Sequence, residues 1–370
     1  MVTKPDLRAS YKGNLPWLVE NTIFLTLHGS HAYGTNIATS DVDVKGIVIP
    51  PLSTYFNATK EYDPKSRFEQ VEMKDPDGVI YEIRKLFKLA GTCNPNIIEV
   101  LFTDESDWIS VHPVGRHIIE NKEIFLSKKA YFTFFGYAKS QLGRINGHYR
   151  WLKNPPKAPP VREDFGLGAK PVLNPEQLAA AMKMIQDKME TWEINWELME
   201  PAERIELQER LRTMLSELTL AMDTRWVGAA KLMGYDDNFI DHVQKENAFK
   251  QKAADWTSYL DWKQNRNPAR AALEEKFGYD TKHGMHLVRL IRMCREILTT
   301  GKVIVKRPDA EELLAIRSGQ VPYEELVEWA ANQENELALV YQTSTALPKL
   351  ADQRAIDALC EEAIRKFHGI

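Results

Sequence analysis

The sequence predicts an α+β protein: a small mixed β-sheet head with flanking helices, followed by a largely α-helical C-terminal domain. Two observations carry this. Short β-branched, apolar runs bounded by Gly or Pro are confined to the first third of the 370 residues. From about Ser127 onward, apolar residues recur at helical spacing almost without interruption. The boundary is expected between residues 126 and 127, giving a head of 1–126 and a helical domain of 127–370.

The elements follow in order. Residues 21–27 (NTIFLTL) form a β-branched run that stops at Gly29-Ser30, as a buried strand meeting a turn does. Residues 42–49 (VDVKGIVI) alternate in part and end at Pro50-Pro51, a strand terminator. Asp77-Gly78 is a turn signal ahead of a third strand over 79–84 (VIYEIR), which runs into a helical 85–90. Asn94-Pro95 starts a helix, with Asn as N-cap and Pro at the first helical position. Six prolines between Pro155 and Pro175 mark an extended loop. Beyond it, helices are expected over 176–200, 202–232, 247–262, 268–277, 283–300, 309–318, 323–341 and 351–367.

Composition excludes several classes. With 48 Lys+Arg against 52 Asp+Glu the net charge is −4, so nucleic acid would need a local basic patch rather than a global field. Three cysteines without a CxxC pair argue against a disulfide framework or a cysteine zinc site. The N-terminus carries Lys4, Asp6, Arg8 and Lys12, unlike a signal peptide, and no window reaches a membrane span. A cytoplasmic protein with no membrane partner is expected; oligomeric state is not legible.

The chemistry concentrates in residues 27–48, LHGSHAYGTNIATSDVDVKGIV. An apolar strand leads to Gly29-Ser30, and eleven positions separate Ser30 from Asp41 of an Asp41-Val42-Asp43 strand. Strand side chains alternate, so Asp41 and Asp43 point the same way and can share divalent ions. Hard carboxylate oxygens suit Mg²⁺, with Mn²⁺ as the alternative. Gly29 permits close approach and Ser30 offers a hydroxyl, so the turn can grip a phosphate. This is equipment for phosphoryl or nucleotidyl transfer. A DxD alone is usually a solvated strand; the joint pattern is far rarer.

These residues, HGSHAYGTNIATSDVDVKGI, resemble the signature of the DNA polymerase β-like nucleotidyltransferase superfamily. The wider likeness is to its predicted nucleotidyltransferase branch associated with RNA repair, with bacterial and phage members. Residues 94–102 (NPNIIEVLF), 135–142 (FGYAKSQL) and 277–290 (FGYDTKHGMHLVRL) resemble further stretches of that branch. The likeness runs from about 25 to 345 and is weakest over 155–263.

The resemblance implies a third carboxylate on a neighbouring strand. Glu82 has the expected apolar-acid-apolar setting, with Glu72 and Asp77 as competing candidates and solvent exposure as the bland alternative. Glu99 is expected to brace its helix, and His28 and His31 show no metal spacing. On the 278–300 segment, Leu287, Leu290, Ile291, Cys294, Ile297 and Leu298 form one apolar face. Lys282, His286 and Arg289 form a separate stripe that suits phosphates, or else a solvated basic face. Residues 128–170 hold nine Lys/Arg against two acids, interleaved with aromatics, a pattern that can bind single-stranded nucleic acid. Phe132, Phe134 and Phe135 read as core; Tyr137, Lys139 and Ser140 touch base and phosphates by the resemblance.

Together these imply a Mg²⁺-dependent enzyme moving NMP from an NTP, ATP or CTP, to a hydroxyl. One metal would sit on Asp41, Asp43 and Glu82, a second on Asp41 and Asp43, and Gly29 and Ser30 would anchor the β and γ phosphates. The favoured acceptor is an RNA 3′ end of tRNA type. The alternatives are a protein or small-molecule hydroxyl, or a non-catalytic nucleotide-binding, antitoxin-like module.

Overall fold

The computed structural model describes residues 4–55, 68–172, 175–191, 227, 230–231, 234–266 and 268–370. Five strands form one mixed sheet: β1 Thr22–His28, β2 Asp43–Val48, β3 Gln70–Lys74, β4 Asp77–Glu82 and β5 Trp108–Val111, in the order β3-β4-β2-β1-β5. β1 runs antiparallel to both β2 and β5, β3 antiparallel to β4, and β2 parallel to β4. The expected α+β class is what the chain adopts: the sheet lies in the N-terminal region and the rest is mostly helical.

The helices that frame the sheet begin with α1 Gly29–Tyr33, one short turn directly after β1. α2 Ile83–Gly91 continues β4, α3 Pro95–Leu101 follows an Asn94 side chain that accepts from the Asn96 amide, and α4 Pro113–Glu120 follows β5. The expected Asn cap and first-turn Pro of α3 are both present. α5 Gly136–Lys153 continues from a wide helical turn at Tyr131–Phe135. The Pro-rich stretch carries one 3₁₀ turn, Arg162–Phe165, before α6 Pro175–Thr191. The later helices are α7 Asp237–Asn265, α8 Pro268–Phe277, α9 Thr281–Thr300, α10 Ala310–Arg317, α11 Tyr323–Thr343 and α12 Gln353–His368. The end of the helix expected over 176–200 and most of that expected over 202–232 lie outside the described residues.

Contacts divide the chain into two compact units. One joins Met1–Gly143 to Thr281–Ile370; the other is Arg144–Asp280. The boundary expected at 126/127 falls inside the first unit, because the C-terminal helices return to the head: α12 packs on α2 and α4. In the first unit, alternation along the strands separates two faces of the sheet. One face buries Leu25, Leu27, Val44, Val48, Met73 and Ile80 against Leu18. The other carries Phe24, Thr26 and His28 of β1 and, across the ladder, Ile47, Lys45 and Asp43 of β2. In the second unit His148 and Trp151 stack, and both lie against Trp262, which Arg266 covers at 4.4 Å. That is a packed aromatic core.

Close packing of α4 on β1 needs Gly115, where any Cβ would collide with the Ile23 carbonyl oxygen. Gly115→Ala is therefore expected to cost about 1–3 kcal/mol by overpacking, read as a lower denaturation midpoint with an unchanged m-value.

Candidate active site

Strand register decides which carboxylates meet. His28 pairs with Asp43 across the antiparallel ladder, and Asp43 pairs with Asp77 across the parallel one. Paired residues on adjacent strands share a face, so Asp43 and Asp77 project together, at the sheet end where β1 turns into α1. Asp41 lies two residues before Asp43, just ahead of β2. Burial raises the Asp43 pKa, and the neighbouring Asp41 and Asp77 carboxylates push it further the same way. Lys282 and Lys45 oppose the rise. Asp41, Asp43 and Asp77 are thus an acidic triad in which the charges of Asp41 and Asp77 bear on Asp43.

Glu82 is not part of it. It pairs with Val48, five residues along β2 from Asp43, which is about 16 Å at strand rise. The odd separation also places it with the opposite, buried face. Its carboxylate caps α2 by accepting from the Arg84 and Lys85 amides, and it also accepts from Arg84 Nε at 2.9 Å and Tyr55 Oη at 3.3 Å. The apolar-acid-apolar setting identified a buried helix cap, while Asp77, one of the competing candidates, occupies the place next to Asp43. Glu72 lies on β3 opposite Val79, on an edge strand not paired with β2.

Gly29 touches the triad from the other side. Its φ is +62°, and a Cβ there would run into the Asp43 carboxylate, so the position takes only glycine. The Gly29 amide donates to His28 Nδ1, which caps the short α1 that carries Ser30. Beneath this turn lies a buried polar network. Tyr33 Oη donates to Glu99 Oε2 at 2.5 Å, Arg289 Nη1 binds Glu99 Oε1, and the Arg289 guanidinium covers the Tyr33 ring at 3.8 Å. Burial lowers the His28 pKa well below its ordinary value, and Lys45 and Arg289 add to the effect, so the ring caps α1 as neutral imidazole.

The remaining expected residues scatter. Arg289 is buried and committed to Glu99, not presented to a ligand. Lys282, at the start of the same helix, lies near enough to Asp43 to favour its ionised form. His286 is half-buried one turn further on. Tyr137 is exposed on α5, Lys139 is ion-paired with Glu334 at 2.7 Å, and Ser140 donates to the Tyr137 carbonyl. Of the aromatics, Phe134 and Phe135 are core as expected. Lys45 was not singled out, although its place two residues beyond Asp43 puts it on the same face.

Residues 12–164 match the model of the RNA repair pathway DNA polymerase beta family, RlaP. This family match covers all of Gly29, Ser30, Asp41, Asp43 and Asp77. A protein of Enterobacteria phage T4, described as an uncharacterized 38.9 kDa protein in the nrdC-mobD intergenic region, is 26% identical over 129 residues. That alignment covers 33% of this chain and 38% of the phage protein, so the chain spans well under half of that relative's length. No solved structure matches. Among the described residues no helix is long and apolar enough to cross a membrane.

Glu99 and Arg289 make a stability prediction independent of activity. Arg289→Met strands a buried carboxylate and is expected to cost about 3–5 kcal/mol in chemical denaturation. Adding Glu99→Gln to that variant removes the stranded charge and is expected to recover a large part of the loss.

Proposed function

We propose that this chain transfers NMP from an NTP to a hydroxyl acceptor with release of pyrophosphate, using divalent ions held by Asp41, Asp43 and Asp77. One observation carries the reading: Asp43 pairs with Asp77 across the parallel ladder and feels the charge of Asp41, beside a glycine where a side chain would strike the Asp43 carboxylate. The donor set is all hard oxygen and the triad is electrostatically strained, which fits Mg²⁺ or Mn²⁺. Bound there, such an ion supplies charge neutralisation on the phosphates and a more acidic acceptor hydroxyl.

The chain's own groups do the rest. Gly29 lies against Asp43 and Ser30 follows it on α1, offering a close backbone approach and a hydroxyl to the triphosphate. Lys282 adds a positive charge near Asp43. The Tyr33–Glu99–Arg289 network holds the turn rigid, so that these donors are preorganised rather than recruited.

For the acceptor we favour an RNA 3′ end, in line with the family match. A protein or small-molecule hydroxyl is the second reading, and a specific observation supports it. Within 128–170, Lys139 is paired with Glu334, Arg150 with Asp255 and Arg162 with Glu246, which leaves less free basic charge than the sequence count suggests. Lys153 and Lys157 are exposed.

Incubation with each α-labelled NTP, Mg²⁺ and total RNA or protein extract tests the activity. Asp41→Asn, Asp43→Asn and Asp77→Asn are each expected to lower transfer at least roughly a hundredfold, while Glu82→Gln stays within a few-fold of wild type. The reverse order for Asp77 and Glu82 would overturn the triad. For the acceptor, reversing Lys153 and Lys157 to Glu is expected to weaken RNA binding. It should also flatten a log–log salt slope of about −0.7 per phosphate contact; weak, salt-independent RNA affinity in the wild type would favour the second reading.

A further inference from the structure

Lys45 poses a physical problem that the triad does not answer. It lies on β2, paired with Thr26 of β1 and Val79 of β4, two residues in from Asp43 on the same face. Its side chain is half-buried. Yet among the described residues no carboxylate comes within ion-pair distance of it and no hydrogen bond holds it. Glu99, the anion that acts on it most strongly, has both oxygens engaged, one by Arg289 and one by Tyr33. Two carboxylates therefore act on Lys45: Glu99, already committed to Arg289 and Tyr33, and Asp43 of the triad. Arg289 Nε is also buried without a partner.

The Lys45 ammonium keeps solvent contact while its stem lies half-buried on the sheet face, so no protein group holds it. The position beside the triad accounts for the charge. We propose that Lys45 binds the substrate directly, its ammonium donating to a non-bridging phosphate oxygen of the nucleotide beside Asp41, Asp43 and Asp77. This rests on the nucleotidyltransferase reading and deepens it: the face of β2 supplies both carboxylates and the cation that receives the phosphate. Arg289 keeps Glu99 from capturing Lys45, so the ammonium stays available for the ligand.

The test measures equilibrium binding of ATP and CTP, with Mg²⁺ and no acceptor, for wild type, Lys45→Met and Lys45→Arg, alongside thermal unfolding. Adenosine and cytidine serve as phosphate-free probes. Loss of one charge-assisted phosphate contact predicts a roughly ten- to hundredfold weaker triphosphate affinity for Lys45→Met. Nucleoside affinity is expected to be unchanged and the Tm equal to or above that of wild type, because the ammonium has no protein partner to lose. Lys45→Arg keeps the charge and is expected to retain most of the affinity. Triphosphate binding by Lys45→Met at the wild-type level overturns the proposal, as does a lowered Tm with nucleoside and triphosphate weakened alike, which marks a structural lysine. A wild-type chain that binds neither triphosphate overturns the nucleotidyltransferase reading and this inference with it.

Discussion

The buried pair of Arg289 and Glu99 ties together parts of the chain 190 residues apart. Glu99 belongs to α3, within the head, and Arg289 to α9, in the C-terminal part of the same compact unit. An ion pair this deep gains little over well-packed apolar residues, but losing either partner leaves an unpaired buried charge. Its effect is therefore one of specification. Arg289 lies over Tyr33, Tyr33 donates to the same carboxylate, and Tyr33 is the last residue of the turn that starts at Gly29. Docking α9 on α3 in this register also brings Lys282 near Asp43.

Above that pair the site is organised by electrostatic tension. Three carboxylates lie at one end of the sheet, and burial with like charge raises the proton affinity of Asp43. Two lysines, Lys45 and Lys282, counter the rise without cancelling it. The glycine that abuts Asp43 cannot carry a side chain, so the cluster is walled by backbone on one side. Such an arrangement is poorly satisfied by itself. A divalent ion and an anionic ligand entering together would satisfy it, which is the chemistry proposed for the site.

Much of this was legible from local pattern. β1 and β2 could be read because each combines an apolar run with a hard stop, and the shared face of Asp41 and Asp43 follows from strand alternation alone. The cap at Asn94-Pro95 is equally local. The third carboxylate was not, because it depends on register between strands that are distant in sequence. Asp77-Gly78 has the composition of a turn but forms the first two residues of β4, and Glu82 has the setting of a strand acid but caps α2. β3 and β5 escaped because five and four residues with mixed polarity carry no periodic signal. Lys282, His286 and Arg289 do share one stripe of α9. Which of them meets solvent is set by what packs there, and Glu99 decides it for Arg289.

The extent of the family match carries a structural consequence. Residues 12–164 include the triad, Gly29, Ser30, Tyr33 and Glu99, but neither Lys282 nor Arg289. The matched segment thus holds a buried carboxylate whose cation lies outside it, and by itself it would strip α2 and α4 of the helix α12 that packs on them. The N-terminal head and the returning C-terminal helices are for this reason one compact unit, although the sequence between them contributes a second. Placing residues 144–280 in that second unit leaves the triad and the network beneath its turn wholly within the first, so the proposed site and the pair that holds its turn belong to one compact unit.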